Sequence, residues 1–593
     1  MKLSDYVFDF LKSKNVSVVF MLPGGGAMHL NDSLGKSGIE YVCCLHEQAA
    51  SIAAESYAQH TNKIGVVSVT SGPGATNAIT GVTAGWIDST PMLIISGQSK
   101  RADLVGDKKV RQIGSQEVRI IDMVKPITKY AVEIMDPDEI RYHMERAYYE
   151  AMNGRRGPVW LSIPLDVQAA DVDIDNIKGF RAPSDDIKVI SSEIQVAASR
   201  CAELLANSKK PLIIAGNGIK HSGSENRLKQ LISEYKIPVQ TSWKTIDMFD
   251  EHDDYYVGHP GIMGDRGANL ILQECDLLIS IGSRLDTSMT AFNDAHFACN
   301  ARKVIVDIDV NEINRMQMDK DVAIACDAGD FLNMLIEECS KKISDIISQD
   351  SMTIRNDWIH YCHETRNKYP IITDVHRNEQ DFVSAYYFVD RLCDLLRSDD
   401  VIVPESSGQA GEITYQAFRI KYGQKMKNAA GLGSMGFGLP YSIGACIAND
   451  RKRTILINGD GAFQMNIQEL ETVHRLGLPL KIFIWNNNGY GSIRSTQRNN
   501  FEGRYVASSN ESGLSMPDTM AVAAAYGFKT YSIRNNKELD ILLPEILSDD
   551  EMTYCDLKVI PEETVSPRVK AYIDENGRIK SGLLENMWPF IEK

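Results

Sequence analysis

The sequence Thr454-Ile-Leu-Ile-Asn458 is followed at once by Gly459-Asp460-Gly461-Ala462-Phe463. The first five residues are typical of a buried strand, and the segment Ile467–Leu476 after the glycines is typical of a helix. Further along, the apolar segment Lys481–Trp485 ends in Asn486-Asn487-Asn488-Gly489. Strand, turn, helix and strand in this order predict a βαβ unit with two neighbouring parallel strands.

The same alternation of short apolar runs and longer helical stretches extends over most of the chain. Buried parallel strands have this β-branched composition, and strands separated by helices indicate doubly wound sheets. We therefore predict an α/β fold. Further strands are expected at Val16–Met21, Ile64–Val69, Met92–Ser96, Val159–Ile163, Pro211–Ala215, Leu277–Ile281 and Lys303–Ile308.

Composition and charge exclude several classes of function. The chain has 593 residues, 11 of them cysteines, and a net charge of -16. This charge argues against a nucleic-acid partner, because phosphate backbones are bound through clustered Lys and Arg. No apolar run approaches the ~20 residues that a membrane helix needs. The amphipathic segment Met1–Val16 lacks the apolar core of a signal peptide. We expect a cytoplasmic protein with reduced thiols, and no membrane partner.

Two polar stretches interrupt the pattern of apolar runs. The first is Asp171–Glu193 and the second is His363–Asp381. Each is interpreted as a linker between domains, with an ordinary surface loop as the alternative. They divide the chain into units at 1–180, 190–350 and 375–560, followed by a tail at 561–593. The tail is either a lid over a site or a surface strap.

The segment Gly431-Leu-Gly433-Ser-Met-Gly436 matches the dinucleotide fingerprint GxGxxG. That fingerprint requires a strand immediately before it, and Lys425–Ala430 is not expected to form one. We therefore reject a Rossmann-type dinucleotide site at these glycines.

The glycines around Asp460 make a better anion and metal site. They let the backbone turn sharply after the strand and approach a phosphate, and the helix that follows presents free N–H groups. The carboxyl ends of neighbouring parallel strands lie together, which would bring Asp460, Asn487 and the Gly489 carbonyl to one place. Such oxygen ligands suit Mg²⁺, whose coordination diphosphate oxygens and water would complete. Two ordinary turns after strands are the alternative.

This pair of motifs resembles the cofactor motif of the thiamine-diphosphate-dependent enzymes. The resemblance extends to the branch that is similar to acetolactate synthase large subunits, over nearly the whole chain to about residue 555. The matching segments include Phe20–Glu55, Val69–Asn77, Gln116-Glu117, Pro126–Lys129 and Gly433–Pro440.

The resemblance implies three doubly wound parallel-sheet domains. These are a pyrimidine-binding domain at 1–180, a central nucleotide-binding-like domain at 190–350 and a diphosphate-binding domain at 375–560. In this family the pyrimidine-binding and diphosphate-binding domains of one site come from two subunits. The resemblance therefore implies a homo-oligomer, a dimer at least or a tetramer.

It also implies which residues hold thiamine diphosphate and Mg²⁺. Glu47 is implied to hydrogen-bond N1′ of the aminopyrimidine, so that the cofactor's own nitrogen can remove the thiazolium C2 proton. Met435 is implied to support the bent shape of the cofactor, and Asp460, Asn487 and Gly489 to bind the metal. The full set for the cofactor is Pro23, Gly24, Gly25, Glu47, Ser407, Gly408, Gln409, Gly433, Met435, Gly459, Asp460, Gly461, Ala462, Asn487, Gly489 and Tyr490.

The central third contains glycine and aspartate turns at positions where this branch binds FAD in a structural role. They are either an FAD site or turns retained after loss of the nucleotide. The residues concerned are Gly216, Gly218, Met263, Gly264, Gly282, Arg284, Asp307 and Asp309.

Three positions depart from the acetolactate synthase pattern. Ser115 replaces a Phe, Ser288 replaces an Arg that meets a keto-acid carboxylate, and Thr496 replaces a Trp. Losing the Arg removes a charge-assisted contact, and the smaller side chains widen the pocket and make it more polar. We interpret this as disfavouring a second small 2-keto acid and favouring a larger carbonyl acceptor, such as a nucleotide-linked keto sugar.

Three polar residues are candidates for substrate contacts. Gln116 is implied by the motif match to hydrogen-bond the bound carbonyl group. His29 is either a proton donor near the substrate, since imidazole titrates near neutrality, or a packed, hydrogen-bonded histidine. Arg494 is either a replacement anion contact for the lost Arg or a solvated surface residue.

The predicted function is decarboxylation of a 2-keto acid, with pyruvate first, and transfer of the acyl unit to a carbonyl acceptor. The alternatives are acetolactate synthase proper, and a simple 2-keto acid decarboxylase or lyase. A non-catalytic paralogue that only binds the cofactor is an alternative of another class.

Overall fold

The computed structural model describes residues 1–183, 190–342, 346 and 348–591. It contains three parallel sheets of six, five and six strands, each covered by helices, as the α/β prediction requires. The chain thus folds into three α/β domains.

The sheet of the N-terminal domain has the strand order β2-β1-β3-β4-β6-β5. Its strands are β1 Val18–Met21, β2 Glu40–Cys43, β3 Gly65–Val69, β4 Met92–Gln98, β5 Tyr130–Glu133 and β6 Pro158–Pro164. The helices of this domain are Leu3–Ser13, Met28–Ser37, Glu47–Thr61, Pro73–Asn77, Ile79–Ile87, Ile120–Val124, Ile140–Met152 and Leu165–Gln168.

The sheet of the central domain has the order β11-β10-β9-β7-β8. Its strands are β7 Pro211–Ala215, β8 Val239–Thr241, β9 Leu277–Ile281, β10 Arg302–Asp307 and β11 Val322–Ala325. The surrounding helices are Ile190–Asn207, Asn217–His221, Glu225–Tyr235, Arg266–Glu274, Val310–Arg315, Ala328–Lys341 and Gln349–Lys368.

The sheet of the C-terminal domain has the order β13-β12-β14-β15-β17-β16. Its strands are β12 Val401–Pro404, β13 Lys425–Met426, β14 Thr454–Gly459, β15 Leu480–Asn486, β16 Lys529–Ile533 and β17 Thr553–Lys558. The helices are Asp374–Arg377, Ala385–Leu395, Gln409–Ala417, Gly438–Ala448, Asp460–Phe463, Leu470–Leu476, Gly491–Asn500, Thr519–Ala525 and Asn536–Ile546.

The predicted strands are confirmed, with bounds that differ from the prediction by at most two residues. The βαβ unit is also confirmed, since β14 pairs with β15 in parallel and Gly459 lies opposite Trp485. The predicted helix Ile467–Leu476 is wrong in its first part. A short helix already begins at Asp460, and residues 464–469 form a 3-10 helix with non-helical backbone at Asn466 (φ -138°) before the helix Leu470–Leu476.

Two further expectations need correction. Lys425 and Met426 do form a short edge strand, β13, although none was expected before Gly431. Four residues lie between this strand and that glycine, so the fingerprint still lacks its immediately preceding strand. The predicted linker His363–Asp381 is helical up to Lys368 and again at Asp374–Arg377. In the stretch Asp171–Glu193, residues 184–189 lie outside the described residues. The domain bounds themselves stay a prediction.

The tail crosses from the C-terminal domain to the central domain. It contains an antiparallel hairpin of β18 Ala571–Ile573 and β19 Ile579–Ser581. The guanidinium of Arg266 donates to the carbonyls of Met587 (3.1 Å) and Pro589 (2.6 Å). The described part of the tail, 561–591, thus lies as a strap across two domains, as in one of the two predicted alternatives, while residues 592 and 593 lie outside the described residues. None of the described helices has the length and apolar character needed to cross a membrane.

One hydrophobic core joins the N-terminal and C-terminal domains. Helix Glu47–Thr61 packs against helix Gly438–Ala448, and apolar residues from both domains form a single buried cluster. The contact is close because small residues face each other: a β-carbon at Gly444 would overlap the carbonyl oxygen of Ala53. The Ser56 hydroxyl also donates to the Tyr441 carbonyl at 2.7 Å. The position of Glu47 is therefore set partly by the C-terminal domain.

Gly444→Ala is expected to destabilise the protein by about 1–3 kcal/mol, because the added methyl group must force the two helices apart. The free energy of unfolding in urea measures this. The matched control is Gly35→Ala, since Gly35 is also helical but has no neighbour within 4 Å. That variant should gain about 0.5–1 kcal/mol from helix propensity alone. Equal effects of the two variants would contradict the close contact.

Candidate active site

The first half of the site lies at the carboxyl ends of β1, β2 and β3, which are neighbours in the N-terminal sheet. β2 leads into Glu47, the first residue of its helix, whose side chain is only 7% exposed. Oε2 of Glu47 accepts a hydrogen bond from Nδ2 of Asn77 at 3.0 Å. The structure therefore holds this carboxyl group in a fixed position that is almost fully shielded from solvent.

The loop after β1 packs tightly against the loop after β3. A β-carbon at Gly24 would overlap the side chain of Thr70, and the amide of Gly26 donates to Oγ1 of Thr70 at 3.0 Å. Gly24 and Gly26 can lie this close to Thr70 and Ser71 only because they lack side chains, whereas Gly25 has no neighbour within 4 Å. The Pro23-Gly24-Gly25 segment comes to the same sheet edge as Glu47.

Two other predicted residues lie at this edge. Gln116 has a left-handed backbone (φ 60°), and its carbonyl packs against Gly72 of the loop after β3. Its side chain is exposed in the single chain. His29 follows the glycine loop in helix Met28–Ser37; it is half-buried, and no hydrogen bond joins it to a described residue.

The second half of the site lies at the carboxyl ends of β12, β14 and β15, again three neighbouring strands. Asp460 follows β14 and is 2% exposed. Its Oδ1 accepts from the Gly461 amide and its Oδ2 from the Gly489 amide, both at 2.9 Å. Burial nevertheless raises the pKa of Asp460 to about 6, since these two amides and Arg494 offset only part of the desolvation. A cation beside this carboxylate would compensate for the buried charge.

Asn487 and Gly489 offer the oxygens that such a cation needs. Oδ1 of Asn487 is buried without a hydrogen-bond partner among the described residues. The Gly489 carbonyl likewise receives no hydrogen bond from any described group. Within the described part of the chain there is no cluster of three His, Cys, Asp or Glu side chains that could hold a metal. One carboxylate, one amide oxygen and one carbonyl instead suit a hard ion such as Mg²⁺.

Glycines make room around these candidate metal ligands. Gly489 has φ 135°, and a β-carbon there would meet the carbonyl of Ser508 at 2.5 Å. A β-carbon at Gly461 would overlap the ring of Tyr490, so the glycine lets this ring lie on the backbone after Asp460. Gly459 and Ala462 flank the same turn, with Ala462 buried. Met435 is half-buried in the segment before helix Gly438–Ala448.

A large cavity of about 1260 Å³ is lined by residues of all three domains. Five of the residues predicted for FAD line it, together with three of those predicted for the cofactor. They are Gly218, Met263, Gly282, Arg284 and Asp307, and Ser407, Gly408 and Gly433. Gly216, Gly264 and Asp309 are not among its lining residues. Asp309 instead accepts from the guanidinium of Arg155 at 2.8 Å.

The three positions that depart from the acetolactate synthase pattern lie in different surroundings. Ser288 lines the cavity, and its carbonyl accepts from the Ile262 amide at 2.9 Å. Ser115 is exposed. Thr496 is exposed on helix Gly491–Asn500, where its hydroxyl donates to the carbonyl of Ser492. Only Ser288 therefore contributes to the cavity of the single chain.

Family models of thiamine pyrophosphate enzymes match three parts of the chain. The N-terminal TPP binding domain matches residues 1–122, the central domain matches 198–335 and the C-terminal TPP binding domain matches 406–557. Thiamine pyrophosphate is another name for thiamine diphosphate. The chain belongs to the thiamine pyrophosphate enzyme family.

Similarity to known proteins extends over almost the full length of the enzyme. It is 32% identical over 571 residues to the acetolactate synthase large subunit of Lactococcus lactis, covering 96% of this chain and 94% of that protein. It is 31% identical over 566 residues to the acetolactate synthase isozyme 2 large subunit of Escherichia coli, covering 95% and 97%. The large subunit of Cyanidium caldarium is 31% identical over 570 residues, with coverage of 95% and 94%.

Arg494 is placed differently from both sequence-based interpretations. It is only 8% exposed, so it is not a solvated surface residue. Its guanidinium donates to backbone carbonyls, among them that of Asn487 at 2.8 Å. It does not line the cavity either, so the interpretation as a replacement anion contact for the Arg lost at Ser288 finds no support there.

Two residues of the site were missed by sequence reasoning. Glu405, directly after β12, is fully buried and accepts from the amides of Ser406 (2.8 Å) and Gly438 (3.0 Å). Burial raises the pKa of Glu405 to about 7. A glutamate directly after the apolar run Val401–Pro404 would have been the indication. Asn77, whose side-chain amide donates to Glu47, lies in the segment Val69–Asn77 that matches the family, but no role was predicted for its side chain.

Asn487→Ala is expected to lower the affinity for Mg²⁺, measured by calorimetry with saturating thiamine diphosphate, by ~10-fold or more. Changes in residues that only orient metal ligands already cost about 10–100-fold, and this change removes the unpartnered oxygen itself. The matched control is Asn488→Gly, because Asn488 is exposed and its left-handed backbone (φ 59°) suits glycine. Unchanged affinity in Asn487→Ala would contradict the metal site.

Proposed function

We propose that the enzyme decarboxylates a 2-keto acid, pyruvate first, and transfers the remaining acyl unit to a carbonyl acceptor, with thiamine diphosphate and Mg²⁺. The observation that carries the proposal is the pair of half-sites: a buried, oriented Glu47 and an oxygen set of Asp460, Asn487 and Gly489. The names of the similar proteins support pyruvate as the donor, since acetolactate synthase names a product of pyruvate.

The cofactor, when bound, supplies a carbon nucleophile that adds to a keto group and stabilises the charge left by loss of CO₂. The protein supplies orientation and proton placement. Asn77 fixes one oxygen of Glu47, so that the other oxygen can hold a proton at the ring nitrogen of a bound aminopyrimidine. Asp460 and Asn487 would hold the cation that neutralises the diphosphate.

Ser288 supports an acceptor other than a second small keto acid. It lines the cavity where the family pattern has an Arg, so the bidentate contact that Arg makes with a carboxylate is absent at this position. A nucleotide-linked keto sugar, which is large and rich in hydroxyl groups, is compatible with this change. Acetolactate synthase proper is the second candidate, and the similar proteins favour it.

The cavity also bears on FAD. Gly218, Gly282 and Asp307 line it at the ends of central-domain strands, as a nucleotide site requires. One prediction is that these turns bind FAD, and the alternative is that they are retained without a nucleotide. Flavin absorbance of the purified protein decides between the two. The expected cytoplasmic location also stays a prediction.

We propose further that two copies of the chain complete each site. Large apolar side chains next to both half-sites are exposed in the single chain: Met28 50%, Leu45 46%, Met465 48% and Ile493 46%. Exposed apolar groups of this size around a cofactor motif are typical of a surface that another chain covers. A monomeric mass in analytical ultracentrifugation with cofactor present would contradict the dimer.

CO₂ release from pyruvate is expected to require thiamine diphosphate, Mg²⁺ and Glu47. Glu47→Gln should lower the rate by about 10²–10⁴-fold, because proton placement by a side chain contributes that much. Glu40→Gln is the control: Glu40 lies on the same segment but forms an exposed ion pair with Arg451. A rate that rises when one carbonyl acceptor is added identifies a carboligase, whereas acceptor-independent release identifies a simple decarboxylase. Tight cofactor binding without release from any small keto acid would favour the non-catalytic alternative.

Ser288→Arg is expected to increase the product that joins two pyruvate units by roughly 10-fold, because a charge-assisted hydrogen bond contributes about 1.5–3 kcal/mol. Mass spectrometry of the products from pyruvate alone measures this. Ser288→Gln is the control, since it adds a long polar side chain without the charge. If Ser288→Arg and Ser288→Gln give the same product ratio, Ser288 does not determine the acceptor.

A further inference from the structure

Arg494 occupies a central position in the loop that follows β15. It is the fourth residue of helix Gly491–Asn500, and its guanidinium donates to four backbone carbonyls. The acceptors are Asn487 (2.8 Å), Asn488 (3.3 Å), Ser508 (3.1 Å) and Pro561 (3.3 Å). No carboxylate of the described residues forms a salt bridge with it.

The first two acceptors belong to the loop that carries the cation ligands. This loop has left-handed backbone at Asn488 (φ 59°) and φ 135° at Gly489, so it cannot satisfy its carbonyls in a helix or strand. The guanidinium of Arg494 donates hydrogen bonds to the carbonyls of Asn487 and Asn488, while the Gly489 carbonyl accepts none from the described residues. A planar guanidinium with five N–H groups can hold several carbonyls at fixed angles, which a Lys ammonium cannot do.

The fourth acceptor, Pro561, is where the tail begins. A second connection runs parallel to it through Gln409. Nδ2 of Asn487 lies 3.5 Å from Oε1 of Gln409, whose own amide group donates to the carbonyl of Glu563. The carboxylate of Glu563 in turn accepts from the amide of Ala385 at 2.7 Å. The backbone of Asn487 is therefore linked to the tail through one residue, Arg494, and its side chain is linked to the tail through one residue, Gln409.

The tail carries this connection to the cavity. The Val569 amide donates to the carbonyl of Ile262 at 2.8 Å, and Ile262 lines the cavity beside Ser288. Only seven residues separate Pro561 from Val569. These hydrogen bonds thus connect the cation loop, through the tail, to the wall of the cavity.

We propose that Arg494 is a positioning residue that holds the cation loop in its ligand geometry and couples cation binding to the order of the C-terminal tail. The proposal rests on the proposed cation site at Asp460 and Asn487. Arg494 touches no substrate in it and acts through the backbone of Asn487 and Asn488 and through Pro561.

The test compares Arg494→Met and Arg494→Lys with Arg498→Met in the full-length protein. Arg498 lies one turn further along the same helix and also contacts the tail, but through an ion pair with Glu562 at the surface. Binding of Mn²⁺ in the presence of thiamine diphosphate is followed by the electron paramagnetic resonance of free Mn²⁺. Hydrogen exchange of the backbone amides of residues 562–566, 568 and 569 is measured with and without Mn²⁺ and thiamine diphosphate.

Arg494→Met is expected to weaken Mn²⁺ binding by ~10-fold or more, and Arg494→Lys to lie between it and wild type. In wild type and Arg498→Met, the ligands should slow exchange in the tail; in Arg494→Met this response should be lost. If Arg494 only stabilised the whole protein, Arg494→Met would change hydrogen exchange in strand β17 as much as in the tail, and the tail would keep its response to the ligands. That result would overturn the proposal.

The outcomes separate this inference from the cation site itself. If wild type binds no Mn²⁺, the cation site fails and the inference fails with it. If wild type binds Mn²⁺ and Arg494→Met binds it equally, or if Arg498→Met is weakened as much, the cation site stands and the role of Arg494 is refuted. Should Arg494→Met not fold, Arg494→Lys decides, because wild-type affinity in that variant refutes the need for the guanidinium.

Discussion

The close contact between helix Glu47–Thr61 and helix Gly438–Ala448 is the constraint on which the site depends. Small residues let the two helices approach until Gly444 lies against the backbone of Ala53. Because Glu47 is the first residue of one of these helices, the orientation of its carboxyl group is fixed by packing between two domains as well as by Asn77. A rigid scaffold of this kind supplies the fixed geometry that proton placement needs.

The two half-sites follow one structural rule. In both cofactor domains, three neighbouring parallel strands end at the same edge, and Glu47, Asp460 and Asn487 each follow the end of a strand by no more than four residues. The strands bury their own polar backbone in the sheet, so the first free amides and carbonyls appear where the sheet stops. This explains why Glu47, Asp460 and Asn487 can be far apart in sequence or on different strands and still belong to two compact clusters of ligands.

The sequence was sufficient for most of the interior of the fold. Interior strands such as β4 and β14 are continuous apolar runs because both faces are covered, and they were predicted within one or two residues. The strands that the apolar runs do not identify are mainly at the sheet edges. β2 and β5 are half exposed, so their sequences mix polar and apolar residues and carry no strong period. Asp460 and Asn487 were recognisable because the spacing of the Gly-Asp-Gly and Asn-Asn segments matches the cofactor motif, although either segment alone is also common in ordinary turns.

Arg494 shows why other parts of the site were not predictable. Helix Gly491–Asn500 is polar, so a basic residue in it looks solvated, and only the loop folded around it reveals its burial. A buried guanidinium is costly unless its N–H groups are satisfied. Here backbone carbonyls supply the acceptors, and they do so only when the cation loop has its left-handed turn and the tail is in place. The buried charge of Arg494 would destabilise any other arrangement of the loop. It therefore favours the arrangement in which the Gly489 carbonyl and the amide oxygen of Asn487 are left free for a cation.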